Sequence, residues 1–180
     1  YQGKTLKCNA SYYWKVKIDT NKGATNWSAP AFWTTGLFNE ADWQGQWIGL
    51  DRAAPGDSET QWSRLAARYL RKEFAVKKGV KRATVHVAGM GLYELFINGQ
   101  RIGNQVLAPA PTDYRKTILY NTYDVTSLLQ TENAIGVTLG NGRFYTMRQN
   151  YKPYKIPTFG YPKLRLNLIV EYADCSKETI

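Results

Sequence analysis

Hydrophobic residues along this chain recur with a period of two, and that alternation limits the fold more than any other feature. Ala83, Val85 and Val87 fall on one side of an extended segment, with Arg82, Thr84 and His86 on the other. Leu70, Phe74 and Val76 share one side of residues 69–76, and Tyr93, Leu95 and Ile97 alternate with Glu94 and Phe96. The pattern continues through Ile118, Tyr120 and Thr122, then through Ile135, Val137 and Leu139. Leu164, Leu166, Leu168, Val170 and Tyr172 form the longest apolar face, opposite Lys163, Arg165, Asn167 and Glu171. No segment sustains a helical period, which excludes helical and doubly wound folds. Asn98-Gly99 supplies the two positive-φ positions of a type I′ hairpin turn. Short strands punctuated by Gly, Pro and Asn predict an antiparallel, jelly-roll-like β-sandwich whose two sheets each bury one face. Residues 124–129 hold at most one helical turn, with Asp124 or Thr126 as its cap.

The first 35 residues read differently. Residues 12–19 predict one strand, 20–23 a turn and 27–35 a second strand interrupted by Pro30, which marks a bulge or an edge. A lone hairpin cannot bury a core. It either adds to the main sandwich or ends a domain whose earlier strands precede Tyr1. Residues 36–49, with Trp43 and Trp47, read as an ordered linker, because indoles in a connection pack on something. The expected organisation is thus a hairpin over 1–35, a linker over 36–49 and a sandwich over 50–180. With no initiator Met and no signal segment, the chain reads as an internal piece of a longer protein.

No run approaches the roughly 18–20 consecutive apolar residues of a helical membrane span, which excludes one. The formal charge of +10 raises nucleic acid as a partner. The excess is spread along the chain, however, and its densest stretch, residues 71–82, straddles a strand and a turn. A solvated face is the expectation, and nucleic acid is not. Cys8 and Cys175 have no His or Cys neighbours at metal-binding spacing, so a zinc site is not expected, and two free thiols are favoured over one bridge.

Catalytic chemistry finds little support in the residues. His86 lacks a nucleophile partner, no acidic calcium loop of Asp-x-Asp-x-Asp type occurs, and Gly140-Asn141-Gly142 is a turn between strands, not a phosphate loop. Glycoside hydrolysis needs two opposed carboxylates. None of the 14 acids is singled out by spacing, and Asp113, Asp124 and Glu94 read as turn, cap and surface groups. Residues 143–162 (RFYTMRQNYKPYKIPTFGYP) are the most informative stretch, carrying six aromatic rings, four basic residues and three prolines without alternation. Such a loop either stacks its rings on sugars or bases, or packs against a neighbouring domain.

Four motifs in order carry a family resemblance. They are Val87-Ala88-Gly89-Met90-Gly91-Leu92-Tyr93-Glu94-Leu95-Phe96-Ile97-Asn98-Gly99, Leu107-Ala108-Pro109-Ala110-Pro111-Thr112-Asp113-Tyr114, Tyr120-Asn121-Thr122-Tyr123-Asp124-Val125-Thr126, and Asn133-Ala134-Ile135-Gly136 with Leu139-Gly140-Asn141-Gly142-Arg143-Phe144-Tyr145. Together they resemble the N-terminal β-sandwich of bacterial α-L-rhamnosidases of glycoside hydrolase family 78. Upstream, Tyr12-Tyr13-Trp14-Lys15-Val16, Trp27-Ser28 and Asp42-Trp43-Gln44-Gly45-Gln46-Trp47-Ile48-Gly49 look like the end of that family's fibronectin-III-like domain leading into the sandwich. The resemblance implies a parent enzyme that hydrolyses terminal α-L-rhamnose with inversion, using carboxylates on a later (α/α)6 barrel. It implies that residues 1–180 are non-catalytic, that the sandwich continues past Ile180, and that the protein is exported to the periplasm or beyond the cell. Partners by resemblance are a rhamnose-containing carbohydrate and the catalytic barrel of the same polypeptide. Some relatives bind rhamnose on this sandwich with calcium. That points to Asn104, Asp113, Tyr114, Asn141, Arg143 and Tyr145 as the sugar site. Two departures stand out: Pro111 occupies the place of a family tryptophan, and Gly103-Asn104-Gln105 lacks a family acidic pair.

Overall fold

Period-two alternation becomes β-structure throughout. The structure, a computed structural model, describes residues 3–52, 65–146 and 159–180. Two compact units form, Tyr1–Trp43 and Gln44–Ile180.

The first unit has four short strands, β1 (Ser11–Trp14), β2 (Asp19–Thr20), β3 (Gly23–Ala24) and β4 (Ala31–Thr34). β1 pairs antiparallel with β4, so Tyr12 lies opposite Trp33 and Tyr13 opposite Phe32. Cross-strand aromatic pairs are the main stabilising unit of such a ribbon. Tyr12 and Trp33 stack at 4.9 Å, and Tyr13 and Phe32 meet at 6.0 Å on the other face. The second strand is shorter than the alternation predicts. Pro30 has no N–H to give the ladder, and β4 begins one residue after it. Before Pro30 the two chains are held by Ser28, whose amide donates to Val16 O and whose Oγ accepts from Val16 N.

The second unit holds β5 (Ile48–Gly49), β6 (Arg68–Ala75), β7 (Val80–Met90), β8 (Leu92–Ile97), β9 (Gln100–Ile102), β10 (Tyr120–Asp124), β11 (Glu132–Gly140), β12 (Lys163–Tyr172) and β13 (Lys177–Thr179). One antiparallel sheet runs β10-β7-β12-β13, with β5 added to β12; the other runs β6-β11-β8-β9. The expected β-sandwich is therefore the fold. Inward residues of both sheets meet in one core: Val85 and Val87 of β7, Leu95 and Ile97 of β8, Val137 and Leu139 of β11, and Leu168 and Val170 of β12. Removing each such side chain from water is worth roughly 1.5–3 kcal/mol, which fixes the register, since a one-residue slip would turn the set outward. Asn98 (φ 51°) and Gly99 (φ 80°) make the β8–β9 turn as predicted. The helical turn expected over 124–129 is a 3₁₀ turn at Thr126–Leu128, where Asp124 Oδ1 accepts the Thr126 amide, and a second 3₁₀ turn falls at Glu40–Asp42.

The polar side of β7 and β12 is not solvated. His86 and Asn167 are fully buried, and Arg165 nearly so. Residues 44–49 cover the last two: Asn167 Oδ1 accepts the Gly45 amide, and Arg165 Nε donates to Gly45 O, while His86 meets Thr122 Oγ1 and the Tyr120 ring. Cys8 and Cys175 form no disulfide.

Candidate functional site

The loop after β11 is shaped by backbone meeting backbone. Gly91 (φ 137°) lies so close to Gly140 O that a Cβ would collide with it. Gly142 (φ 51°) would place a Cβ at 3.0 Å from the Gly91 carbonyl carbon and from Leu92 N. Only glycine tolerates both the dihedrals and the approach. This contact presents Asn141 between them. Asn141 Nδ2 donates to Leu65 O at 3.1 Å, which fixes the orientation of the amide. Its Oδ1 is buried and has no hydrogen-bond partner among the described residues. A buried acceptor left open is costly unless a ligand or water fills it.

Aromatic rings flank this acceptor's loop. Phe144 meets Tyr114 edge-on at 5.2 Å and lies parallel to Phe159 at 6.0 Å, and Tyr114 also meets Phe159 edge-on at 5.3 Å. The Phe159 amide donates to Phe144 O, closing the strand-like approach of the two segments. Tyr145 stacks on Tyr161 at 5.8 Å. Burial pushes the Tyr114 phenol above its ordinary range, opposed by the Arg143 charge nearby. Arg143 itself is exposed.

Asp113 is locked in its own turn. Arg115 Nε and Nη2 donate to its two carboxylate oxygens at 2.9 and 3.1 Å, and its backbone carbonyl accepts from Lys116 and Thr117. These bonds to Arg115 hold its carboxyl below the usual range. An ionised, bidentate carboxylate cannot act as a general acid. Arg115 was not foreseen, although Asp-x-Arg within a turn is a local signal for such a pair.

Tyr114 thus lies beside the loop that carries Asn141, Arg143 and Tyr145, through its ring contact with Phe144 and the nearby Arg143 charge, with Asp113 in the adjoining turn. Asn104 does not join them through any bond or ring contact among the described residues. It sits exposed beside Gln105, whose Oε1 accepts from Tyr123 Oη in a network with Asn121 and Tyr93. Residues 147–158 of the aromatic stretch, Tyr151 and Tyr154 among them, lie outside the described residues. The donor set does not suit calcium, which takes about 6–8 oxygens including several carboxylates. Asp113 is the one carboxylate at the cluster and is engaged by Arg115, and no three His, Cys, Asp or Glu side chains assemble among the described residues. Arg71, Arg82, Arg101, Arg115, Lys163 and Lys177 pair with carboxylates, which leaves the net charge of +10 on the remaining Lys and Arg side chains.

Comparison with known proteins bears on the same segments. Residues 78–180 match the family model described as alpha-L-rhamnosidase N-terminal domain, and residues 1–39 match one described as Rha78A-like, N-terminal immunoglobulin domain. An alpha-L-rhamnosidase of Formosa agariphila is 36% identical over 97% of this chain. The structure of alpha-L-rhamnosidase from Dictyoglumus thermophilum is 39% identical over 100% of the chain with a TM-score of 0.84. That of the Aspergillus terreus enzyme is 33% identical over 99% with a TM-score of 0.87. The chain spans about a fifth of the length of each of these three (20%).

Proposed function

Because the chain belongs to the alpha-L-rhamnosidase N-terminal domain family, we propose that it is the non-catalytic β-sandwich part of an enzyme that removes terminal α-L-rhamnose. In this reading the Tyr114–Asn141–Arg143 cluster holds the sugar, and the sandwich braces the catalytic barrel of the same polypeptide. One observation carries the sugar site: the oriented, buried and unpartnered Oδ1 of Asn141. A sugar hydroxyl donates to it only by entering beneath the loop, since the atom itself has no exposed surface. Arg143 adds exposed donors at the rim, and Tyr114 stands beside it against Phe144 and Phe159. Asp113 serves indirectly, by fixing the turn that carries Tyr114.

Calorimetric titration with L-rhamnose tests this, run with and without calcium. Saturable binding that disappears in Asn141→Ala and weakens in Arg143→Ala, with no dependence on calcium, is the expected result. An unchanged isotherm in Asn141→Ala would remove the cluster from sugar binding and leave the bracing role alone.

A further inference from the structure

The outward face of the four-stranded sheet forms a trough. Its floor is the solvent side of β11, where Ala134, Gly136 and Thr138 follow one another at alternate positions. The flanking strands rise above it. Register places Tyr69 beside Thr138, Arg71 beside Gly136 and Glu73 beside Ala134 on the β6 side. Phe96 faces Gly136 and Glu94 faces Thr138 on the β8 side. A hollow of about 270 Å³ occupies this trough, and a second of about 580 Å³ adjoins it at Ala134, past the end of the sheet beside Ala75, Asn98 and Glu132. The floor runs about 14 Å from Ala134 to Thr138 at the usual strand rise.

We infer that this trough is a second binding site, one that takes a neutral oligosaccharide along β11. Three features select that ligand. Tyr69 is 81% exposed, a large ring standing at one wall with nothing packed over it. Above Gly136 there is open space, since the nearest atom to a Cβ there is Leu70 O at 3.9 Å, so a sugar ring can settle onto the backbone. The walls are charged yet balanced, because Arg71 pairs with Glu73 and Arg101 with Glu94. Balanced pairs give a polyanion no net field to follow. They also disfavour an apolar protein partner, since the centres of protein interfaces are depleted of charge. Hydroxyl groups, in contrast, can bond to both members of each pair. The position of the trough is independent of the loop cluster; the choice of rhamnose as its sugar rests on the reading above.

The test is backbone amide NMR of the 180-residue chain with L-rhamnose, α-L-rhamnotriose and polygalacturonate in turn. The trisaccharide is expected to shift Tyr69, Phe96, Gly136 and Thr138, while the monosaccharide at equal concentration shifts them far less. Tyr69→Ala should weaken the trisaccharide roughly tenfold, the scale of one lost aromatic contact. Gly136→Val should abolish the response by filling the floor. A β-branched residue suits a strand and meets open space there, so the fold stays intact, and the amides around Asn141 report that directly. Trough shifts with none at Asn141 and Arg143 would keep this site and remove the loop site. Shifts confined to Asn141 and Arg143, trough shifts that persist in Gly136→Val, or a stronger response to polygalacturonate would each overturn the inference.

Discussion

Asn167 reaches from β12 to accept the amide hydrogen of Gly45 at 2.8 Å, tying residues 44–49 across the outside of a sheet 122 positions later in the chain. The approach is close enough that a Cβ on Gly45 would enter the space of the Leu166 carbonyl oxygen. Arg165 secures the same residue from the other side, donating to Gly45 O at 2.6 Å. The crossing covers Arg165 and Asn167, and Asn167 lies opposite the fully buried His86 in the sheet.

Gly45→Ala should therefore lower stability by about 1–3 kcal/mol, as overpacking does. Asn167→Ala should lose about 1–3 kcal/mol by leaving the Gly45 amide unsatisfied. Chemical denaturation checks both, with the midpoint moving and the slope constant. The double variant should lose less than the sum, because both changes break one contact. Full additivity would mean that the two residues stabilise the sheet separately.

His86 adds a pH dependence. Burial, reinforced by the positive charge of Arg82, lowers its pKa from 6.5 to about 4. Between those values the unfolded chain binds a proton that the folded protein does not, so the unfolded state gains as pH falls. Stability should drop from pH 6.5 toward pH 4 by on the order of 2–3 kcal/mol. The carboxyls of Asp42, Asp113 and Asp174 are held below their ordinary range, so their losses come at still lower pH. His86→Gln should flatten the slope above pH 4 in a series of thermal melts. An equal slope in the variant would assign the effect to another group.

Alternation made both sheets legible, and Asn98-Gly99 located the tightest turn. It could not tell that the polar face of β7 and β12 is covered. Periodicity says which residues share a side, and whether that side meets water depends on a segment far away in the chain. For this reason His86 and Asn167, read as facing away from the apolar side, are buried. The loop cluster was partly legible. Tyr114, Asn141, Arg143 and Tyr145 sit on loops whose proximity depends on sheet order, and the motif resemblance supplied it. Asn104 is exposed on a third loop, between Gly103 and Gln105, the two residues that lie against Tyr123. The trough was invisible in sequence, because Ala134, Gly136 and Thr138 are only a run of small residues until β6 and β8 stand beside them.

Three neighbouring glycines give a graded test of how Asn141 is positioned. Gly91 combines φ 137° with the collision at Gly140 O, so Gly91→Ala carries both strain and overlap. It should cost upward of about 2 kcal/mol. Gly142 has φ 51° and contacts at 3.0 Å, where a side chain is strained but adjustable, and Gly142→Ala should cost about 1–2 kcal/mol. Gly140 has no positive φ, and a Cβ there would meet Leu92 O at an ordinary 3.7 Å. Gly140→Ala should be neutral or slightly stabilising, by reducing the freedom of the unfolded chain. Thermal unfolding orders the three, and the Asn141 side-chain amide resonance should move in the first two variants and stay in the third. Equal losses at Gly91 and Gly140 would show that backbone contact between the two loops does not place Asn141.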